Sequence, residues 1–477
     1  MDKDLVLEIN NLKRYIPQYY SLLDMFEGNI SYYVGMSMAQ ELSPESFKVA
    51  STRIPAINLL RRIVKKLSKV YTDVPRRTTA NPSDEEIINE YIKSLDLQNV
   101  MSNGEDMLNL QKCFAIEPYV DEGEIKLRIL SPHQFCVLSD DEVNPNKVTT
   151  FVKYMGTEMI VDGINKPYNV DLYWVYTEQE LIKMDSNGNV SEIIPNPYGT
   201  IPFVYVNSSS NFLMPRPDMD SYNNTVLIPK LLADLNYATQ FQSHSIMYSI
   251  DAEINKASGA PDSMWNLTSR DGEGKTPQVG VLSPSVDTEK VLSLIGFTVE
   301  QWLESRGIKP GTIGGPNATA SGISKIIDEA DTAQVVQENR LILTHAEHEL
   351  WELIGIMHNT LLYSEGFLAT RGLSQDLEVS VSFPVQKPII DPAEFRNDLE
   401  FKLKNKLTSY MRALKLANPD LTEEEINKLK EEIDAEAQPL QIMPQLDLLS
   451  PETKELDLPK NPSEDGNKGE DNGQRTE

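Results

Sequence analysis

The chain has 477 residues, 40% of them hydrophobic, enough for two or more domains with real cores. Its 44 basic and 72 acidic residues leave a net charge of −28, which argues against tight wrapping of nucleic acid, because grip on phosphates comes from Lys and Arg. No apolar run approaches the ~20 residues that span a bilayer, and Met1-Asp-Lys-Asp is not a signal peptide, so a soluble product of a cytoplasm is expected.

In chain order, Leu5 to Asn29 and Ser51 to Val70 read as amphipathic helices. The second carries Arg61, Arg62, Lys65 and Lys66, bases that suit a solvated helix face or contact with DNA or a neighbour's acids. From Glu124 the pattern turns to strands over Ile125 to Leu130, Thr149 to Met155 and Val170 to Tyr176, with Ser186-Asn-Gly-Asn189 as a hairpin turn before Val190. Cys113 and Cys136 lie in apolar strand-like stretches without metal spacing, and read as buried thiols. Leu227 to Ala252 returns to helical spacing. Ser258 to Ser285 is rich in Gly, Pro and Ser, with Trp265 isolated in it and Val279 to Leu282 as a possible strand.

A short amphipathic segment from Val291 leads to the break Gly311-Thr-Ile-Gly-Gly-Pro-Asn-Ala-Thr-Ala-Ser-Gly322. Gly311, Gly314 and Gly315 allow backbone angles closed to other residues, and Pro310 and Pro316 stop either flanking helix from running through. Thr319 or Ser321 can cap the next segment, a run without Gly or Pro until Gly355 that reads as one long helix, on the order of 60 Å at ~1.5 Å per residue. Its first half, Asp328 to Arg340, is polar. Leu343, Ala346, Leu350, Leu353, Met357 and Leu361 then make a core-facing stripe. Phe395 to Leu416 is helical and basic through Lys402, Lys404, Lys406, Arg412 and Lys415. Thr422 to Glu436 is helical and acidic, opening on a capping start. From Pro439 onward nine acids stand against four bases among Pro, Gly and Asn, which predicts a disordered tail.

Two catalytic signals fail. Gly272-Glu-Gly-Lys-Thr276 ends like a phosphate-binding loop, but Ser269 stands where the first Gly is needed and Pro277 obstructs the following helix. His345, His348 and Glu349 suggest zinc, but Glu352 occupies the position of the second His in H-E-x-x-H, which leaves polar packing as the reading. No cofactor or metal is expected.

The order of helix, Gly-rich loop and capped long helix, with Ala320-Ser321-Gly322-Ile323-Ser324-Lys325 at the junction, resembles the portal proteins of tailed bacteriophages. Four further stretches resemble the family in the same order. They are Asn29-Ile-Ser-Tyr-Tyr-Val-Gly35, like its early turn; Ile201 to Asn207 with Ile228 to Asn236, like the strand and helix start before the stem; Val379 to Phe383, like the returning wing strand; and Asn418 to Glu425, like the helical crown. The resemblance spans residues 25 to 437 and implies an α+β portal-like fold: an α/β wing, long stem and wing helices, a small clip and a crown. It would divide the chain into an N-terminal wing at 1–224, stem helices at 225–252 and 289–306, and the clip at 253–288. The tunnel loop would be 307–321, the long helix and return strand 322–393, the crown 394–438 and the acidic tail 439–477.

The resemblance further implies a dodecameric ring at one capsid vertex, without enzymatic chemistry. Its partners would be the terminase large subunit, a head-completion or adaptor protein, major capsid and scaffolding proteins, and double-stranded DNA passing through the tunnel. The subunit would reside in the virion, with no membrane partner. Lys309, Asn317, Ala318, Thr319, Ala320 and Ser321 would line the tunnel loop, and Asp262, Trp265, Arg270 and Lys275 would dock partners at the clip. An acidic wall would let a duplex slide, although plain solubility explains the charge equally. Two other classes compete: an acidic helical scaffold that forms no ring, which accounts for composition but not for the ordered motifs, and an enzyme, which rests on the two failed motifs.

Overall fold

A computed structural model of the chain describes residues 3–55, 57–160, 168–209, 211–243, 246–250, 252–254, 267–269, 278–282, 287–309, 322–362, 364, 367–369, 371–375, 377–384, 392–418 and 423–436. The chain forms two compact units, Met1–Ile390 and Asp391–Glu477.

The first unit opens with α1 (Lys3–Lys13), α2 (Ile16–Glu27), α3 (Ile30–Glu41), α4 (Pro44–Ala50) and α5 (Leu59–Leu67). The one helix expected over Leu5 to Asn29 is thus two, because Pro17 sits in the first turn of α2, where a residue without an N–H starts a helix but cannot continue one. Gly28, at φ 122°, reverses the chain after α2. Asn29 to Gly35 therefore begins α3 instead of forming the expected turn, since the turn is already complete. In the stretch from Ser51 to Val70 only α5 is α-helical. Leu60, Ile63, Val64 and Leu67 bury one side of it, while Lys65 pairs with Asp106 and the Arg61 guanidinium lies 5.6 Å from the Phe26 ring centre. These two bases are engaged within the chain.

β1 (Arg76–Thr79), α6 (Glu85–Ser94) and α7 (Leu97–Gln111) precede eight strands: β2 (Cys113–Asp121), β3 (Glu124–Leu130), β4 (Phe135–Leu138), β5 (Thr150–Ile160), β6 (Tyr168–Tyr176), β7 (Glu180–Asp185), β8 (Val190–Pro195) and β9 (Val204–Asn207). They form a three-stranded sheet in the order β3-β2-β9 and a five-stranded meander, β4-β5-β6-β7-β8, both antiparallel. The Ser186–Asn189 turn joins β7 to β8 as its sequence predicts. Buried Glu117 on β2 accepts from Lys153 of β5 at 2.7 Å and Arg128 of β3 at 2.5 Å, so one carboxylate links the two sheets. Cys113 is buried on β2 and Cys136 half-buried on β4. Burial pushes both free thiols up to about 12, which keeps them protonated and inert.

Next come α8 (Met219–Ser243), the short strands β10 (Ile246–Ile250), β11 (Ala252–Ile254), β12 (Leu267–Ser269) and β13 (Gln278–Leu282), then α9 (Thr288–Glu304) and α10 (Gly322–Leu361). The helix expected over Leu227 to Ala252 starts earlier and stops at Ser243. Pro229, read in sequence as near a helix start, lies inside α8. The 40 residues of α10 match the expected long helix. Leu343, Ala346, Leu350, Leu353 and Met357 are buried and Leu361 packs against them, each large aliphatic contributing about 1.5–3 kcal/mol by leaving water. The polar first half is not simply solvated, because Thr332, Val336 and Asn339 are buried on one face.

After α10, β14 (Val379–Ser382) returns to pair antiparallel with β1, Arg76 opposite Ser382 and Thr79 opposite Val379. Beneath this ribbon the fully buried Glu347 carboxylate of α10 takes Arg77 as ion partner. It also accepts from the Tyr71 hydroxyl at 2.7 Å and from the Trp351 indole at 3.4 Å.

The second unit contains α11 (Pro392–Lys404), α12 (Tyr410–Ala417) and α13 (Glu423–Glu436). The single helix expected from Phe395 to Leu416 is broken at Lys406, which adopts φ 57°. The tail expected to be disordered lies outside the described residues.

Candidate functional site

The site that the fold isolates is the helical pair α8 and α9 with the strands between them. Nested antiparallel pairs, β10 with β13 and β11 with β12, close the far end: Ile246 lies opposite Leu282 and Ala252 opposite Ser269. This brings the end of α8 to the start of α9, so the helices, which pack on each other, run in opposite senses. The Asp287 side chain caps α9 by accepting from Lys290 N–H at 3.2 Å.

The near end is anchored by packing and charge. Val226, Ile228 and Ala233 of α8 and Ile295, Trp302 and Leu303 of α9 join a buried cluster with Leu22, Met25, Met38 and Leu60. Arg306 pairs with buried Asp218, and its guanidinium also donates to Ser221 on α8. Burial pulls the Arg306 pKa below the ordinary guanidinium range. Lys230 of α8 pairs with Glu41 of α3 at 2.5 Å. Ile295, with Val291 and Val299 packed beside it, faces this cluster, and the opposite side of α9 carries apolar side chains without cover. Leu292, Leu294 and Phe297 of α9 are exposed, Phe297 at 60%.

A Schellman turn ends α9. Gly307, at φ 68°, donates to Glu304 O at 3.0 Å, and the Ile308 N–H donates to Leu303 O at 2.9 Å, with Ile308 and Leu303 buried. The Thr332 hydroxyl of α10 donates to Gly307 O at 3.1 Å. Gly307 and Thr332, which flank residues 308–331, are therefore neighbours in space. Lys309 is half-buried beside this turn. Asn317, Ala318, Thr319, Ala320 and Ser321 lie outside the described residues, as do Asp262, Trp265, Arg270 and Lys275, and the Gly272 to Thr276 segment with them.

A model of the SPP1 Gp6-like phage portal protein family matches residues 7–439. The chain belongs to this portal family. The family is structural and not enzymatic. Among solved structures, the portal chain is similar to a chain of the neck of an empty GTA particle computed with C6 symmetry, with 10% identity over 80% of this chain and 96% of that one at a TM-score of 0.39. It is also similar to a chain of the virion of a native gene transfer agent particle, with 10% identity over 80% and 95% at a TM-score of 0.34. Overlaps this loose carry no functional argument. No curated protein matches the chain.

In the portal chain His345 and Glu349 of α10 border an open cleft of 570 Å³ floored by Phe151, Phe203 and Tyr205, and His348 is not part of its lining. His345 Nε2 lies 3.1 Å from Glu349 Oε1, and burial raises the Glu349 pKa. Among the described residues no three His, Cys, Asp or Glu are grouped to hold a metal, and no described helix is long and apolar enough to cross a membrane. Sequence reasoning missed the anchor residues of the helical pair, Asp218, Ser221 and Arg306. The Arg306-Gly307-Ile308 step was a readable helix-end signal for one of them.

Proposed function

We propose that the chain is a portal subunit that assembles into a ring at one capsid vertex of a virion and conducts double-stranded DNA during packaging and ejection. The observation that carries this, beside family membership, is the pair α8 and α9, a stem fixed at its base by the Arg306–Asp218 pair and tipped by nested hairpins, with Leu292, Leu294 and Phe297 exposed on a single chain. Exposed apolar side chains on the outer face of α9 suit burial against the same helices of neighbouring copies. In this reading residues 219–243 and 288–304 are the stem and the strands between them the clip, docking terminase and head-completion proteins through Asp262, Trp265, Arg270 and Lys275. The tunnel loop spans 307–321, with Lys309 and Asn317 to Ser321 facing the duplex, and residues 392–436 form the crown. Capsid and scaffolding proteins contact the outer wing.

Native mass spectrometry with negative-stain imaging tests the ring. A closed assembly of about twelve copies with a central hole is expected. A monomer or dimer that persists across salt and magnesium, and in the presence of capsid and scaffolding proteins, overturns it. Deleting Gly314 to Ala318 tests the loop: unchanged DNA packaging and retention would remove its assigned role.

A further inference from the structure

In the second unit, α11 and α12 are joined by the same kind of turn that ends α9, built without its cover. Lys406, at φ 57°, donates to Leu403 O at 3.1 Å, and the Leu407 N–H donates to Lys402 O at 2.8 Å, a second Schellman turn. Ser409 Oγ accepts from Arg412 N–H at 3.2 Å and starts α12 immediately afterwards. In the stem turn the residue after the left-handed position, Ile308, is completely buried; its counterpart here, Leu407, is 68% exposed, and Phe401 and Tyr410 on either side are also exposed. Around them stand exposed Lys404, Lys406 and Arg412. The turn thus presents a small apolar surface with a basic rim.

We infer that residues 440–458 of the chain itself dock on this turn. The segment begins four residues beyond the end of α13, which packs beside α12, and extended it reaches on the order of 60 Å, several times the length of α12. Its chemistry is complementary on both counts. It carries Leu440, Ile442, Met443, Leu446, Leu448 and Leu449 ahead of Leu456 and Leu458, interleaved with Asp447, Glu452, Glu455 and Asp457 against the single base Lys454. No Leu, Ile, Val, Met or aromatic residue comes after Leu458, so the docking chemistry ends there. Acidic α13 also offers Glu431 and Glu432, so charge alone does not select the tail; the uncovered Leu407, Phe401 and Tyr410 do. Tethering supplies an effective concentration on the order of mM, enough for a modest surface. The inference is independent of the ring reading.

Hydrogen exchange read by mass spectrometry on the full chain tests this. Amides of 440–458 are expected to exchange about tenfold or more slowly than a free peptide, those of 460–477 at free-peptide rates. Phe401→Asp with Leu407→Asp should abolish that protection while α11 and α13 keep theirs. If the double variant loosens these helices, Lys404→Glu, Lys406→Glu and Arg412→Glu together, all on exposed side chains, serve the same comparison. Free-peptide exchange of 440–458 in the unmodified chain overturns the inference. So does protection that survives the variants, which places the segment elsewhere, or protection that fades on dilution, which assigns it to another copy.

Discussion

Glu347→Ala removes the acceptor at the centre of the most buried ion pair among the described residues of the first unit. The Arg77 side chain is 2% exposed and Glu347 0%, so truncation leaves a guanidinium charge without its ion partner and with little water in reach. The Tyr71 hydroxyl and the Trp351 indole lose their acceptor at the same time. Stranding one member of a buried pair costs about 3–5 kcal/mol, and the emptied carboxylate volume adds to it. Urea unfolding followed by far-UV circular dichroism, with the midpoint multiplied by a shared slope, reads this directly. Arg77→Met combined with Glu347→Leu removes both charges and fills the space, and should recover most of the loss. A loss below about 1 kcal/mol for Glu347→Ala would refute the reasoning, because it would mean that water already reaches Arg77.

Gly104→Ala on α7 should destabilise by about 1–3 kcal/mol in the same assay despite better helix propensity, because the new Cβ would meet the Phe114 ring at 2.7 Å in the core. Lys406→Gly should raise the melting temperature of the second unit, worth about 1 kcal/mol, since it relieves a left-handed backbone position. Buried Glu105 accepts from the N–H groups of Val70 and Tyr71, yet burial outweighs these bonds and pushes its pKa from 4.5 to about 7. The folded chain then holds a proton that the unfolded chain has released, so the contribution is complete below about pH 4.5 and is lost as pH rises through about 7. Unfolding free energies across that window should fall with pH, and Glu105→Gln should flatten the slope.

The elements legible in the sequence were those with a local cause. The stripe from Leu343 to Met357 repeats at helical spacing, and the Ser186 to Asn189 turn carries its own chemistry. The elements that escaped depend on partners far along the chain. Arg76 to Thr79 is too short and polar to read as a strand until Val379 to Ser382 pairs with it across about 300 residues. Glu347 reads as a solvated helix charge unless Arg77 and Tyr71 are known to face it. Helix ends failed for a related reason: Pro229 ends helices by its own chemistry, but tertiary packing of Val226, Ile228 and Ala233 carries α8 through it. At the candidate site, the two helices and the strand at Val279 to Leu282 were readable from spacing and composition, whereas β10, β11 and β12 and the Asp218, Ser221 and Arg306 anchor needed the fold.

The hydrogen bond from Thr332 to Gly307 O holds the turn after α9 against α10, so the chain on either side of 310–321 is fixed by the body. With its ends held, doubling the length of such a segment costs only about 0.6 kcal/mol of closure entropy. Insertions, a fluorophore or a crosslinkable residue placed between 311 and 320 should therefore change the body's stability by no more than about 0.6 kcal/mol, which makes this stretch convenient for a reporter.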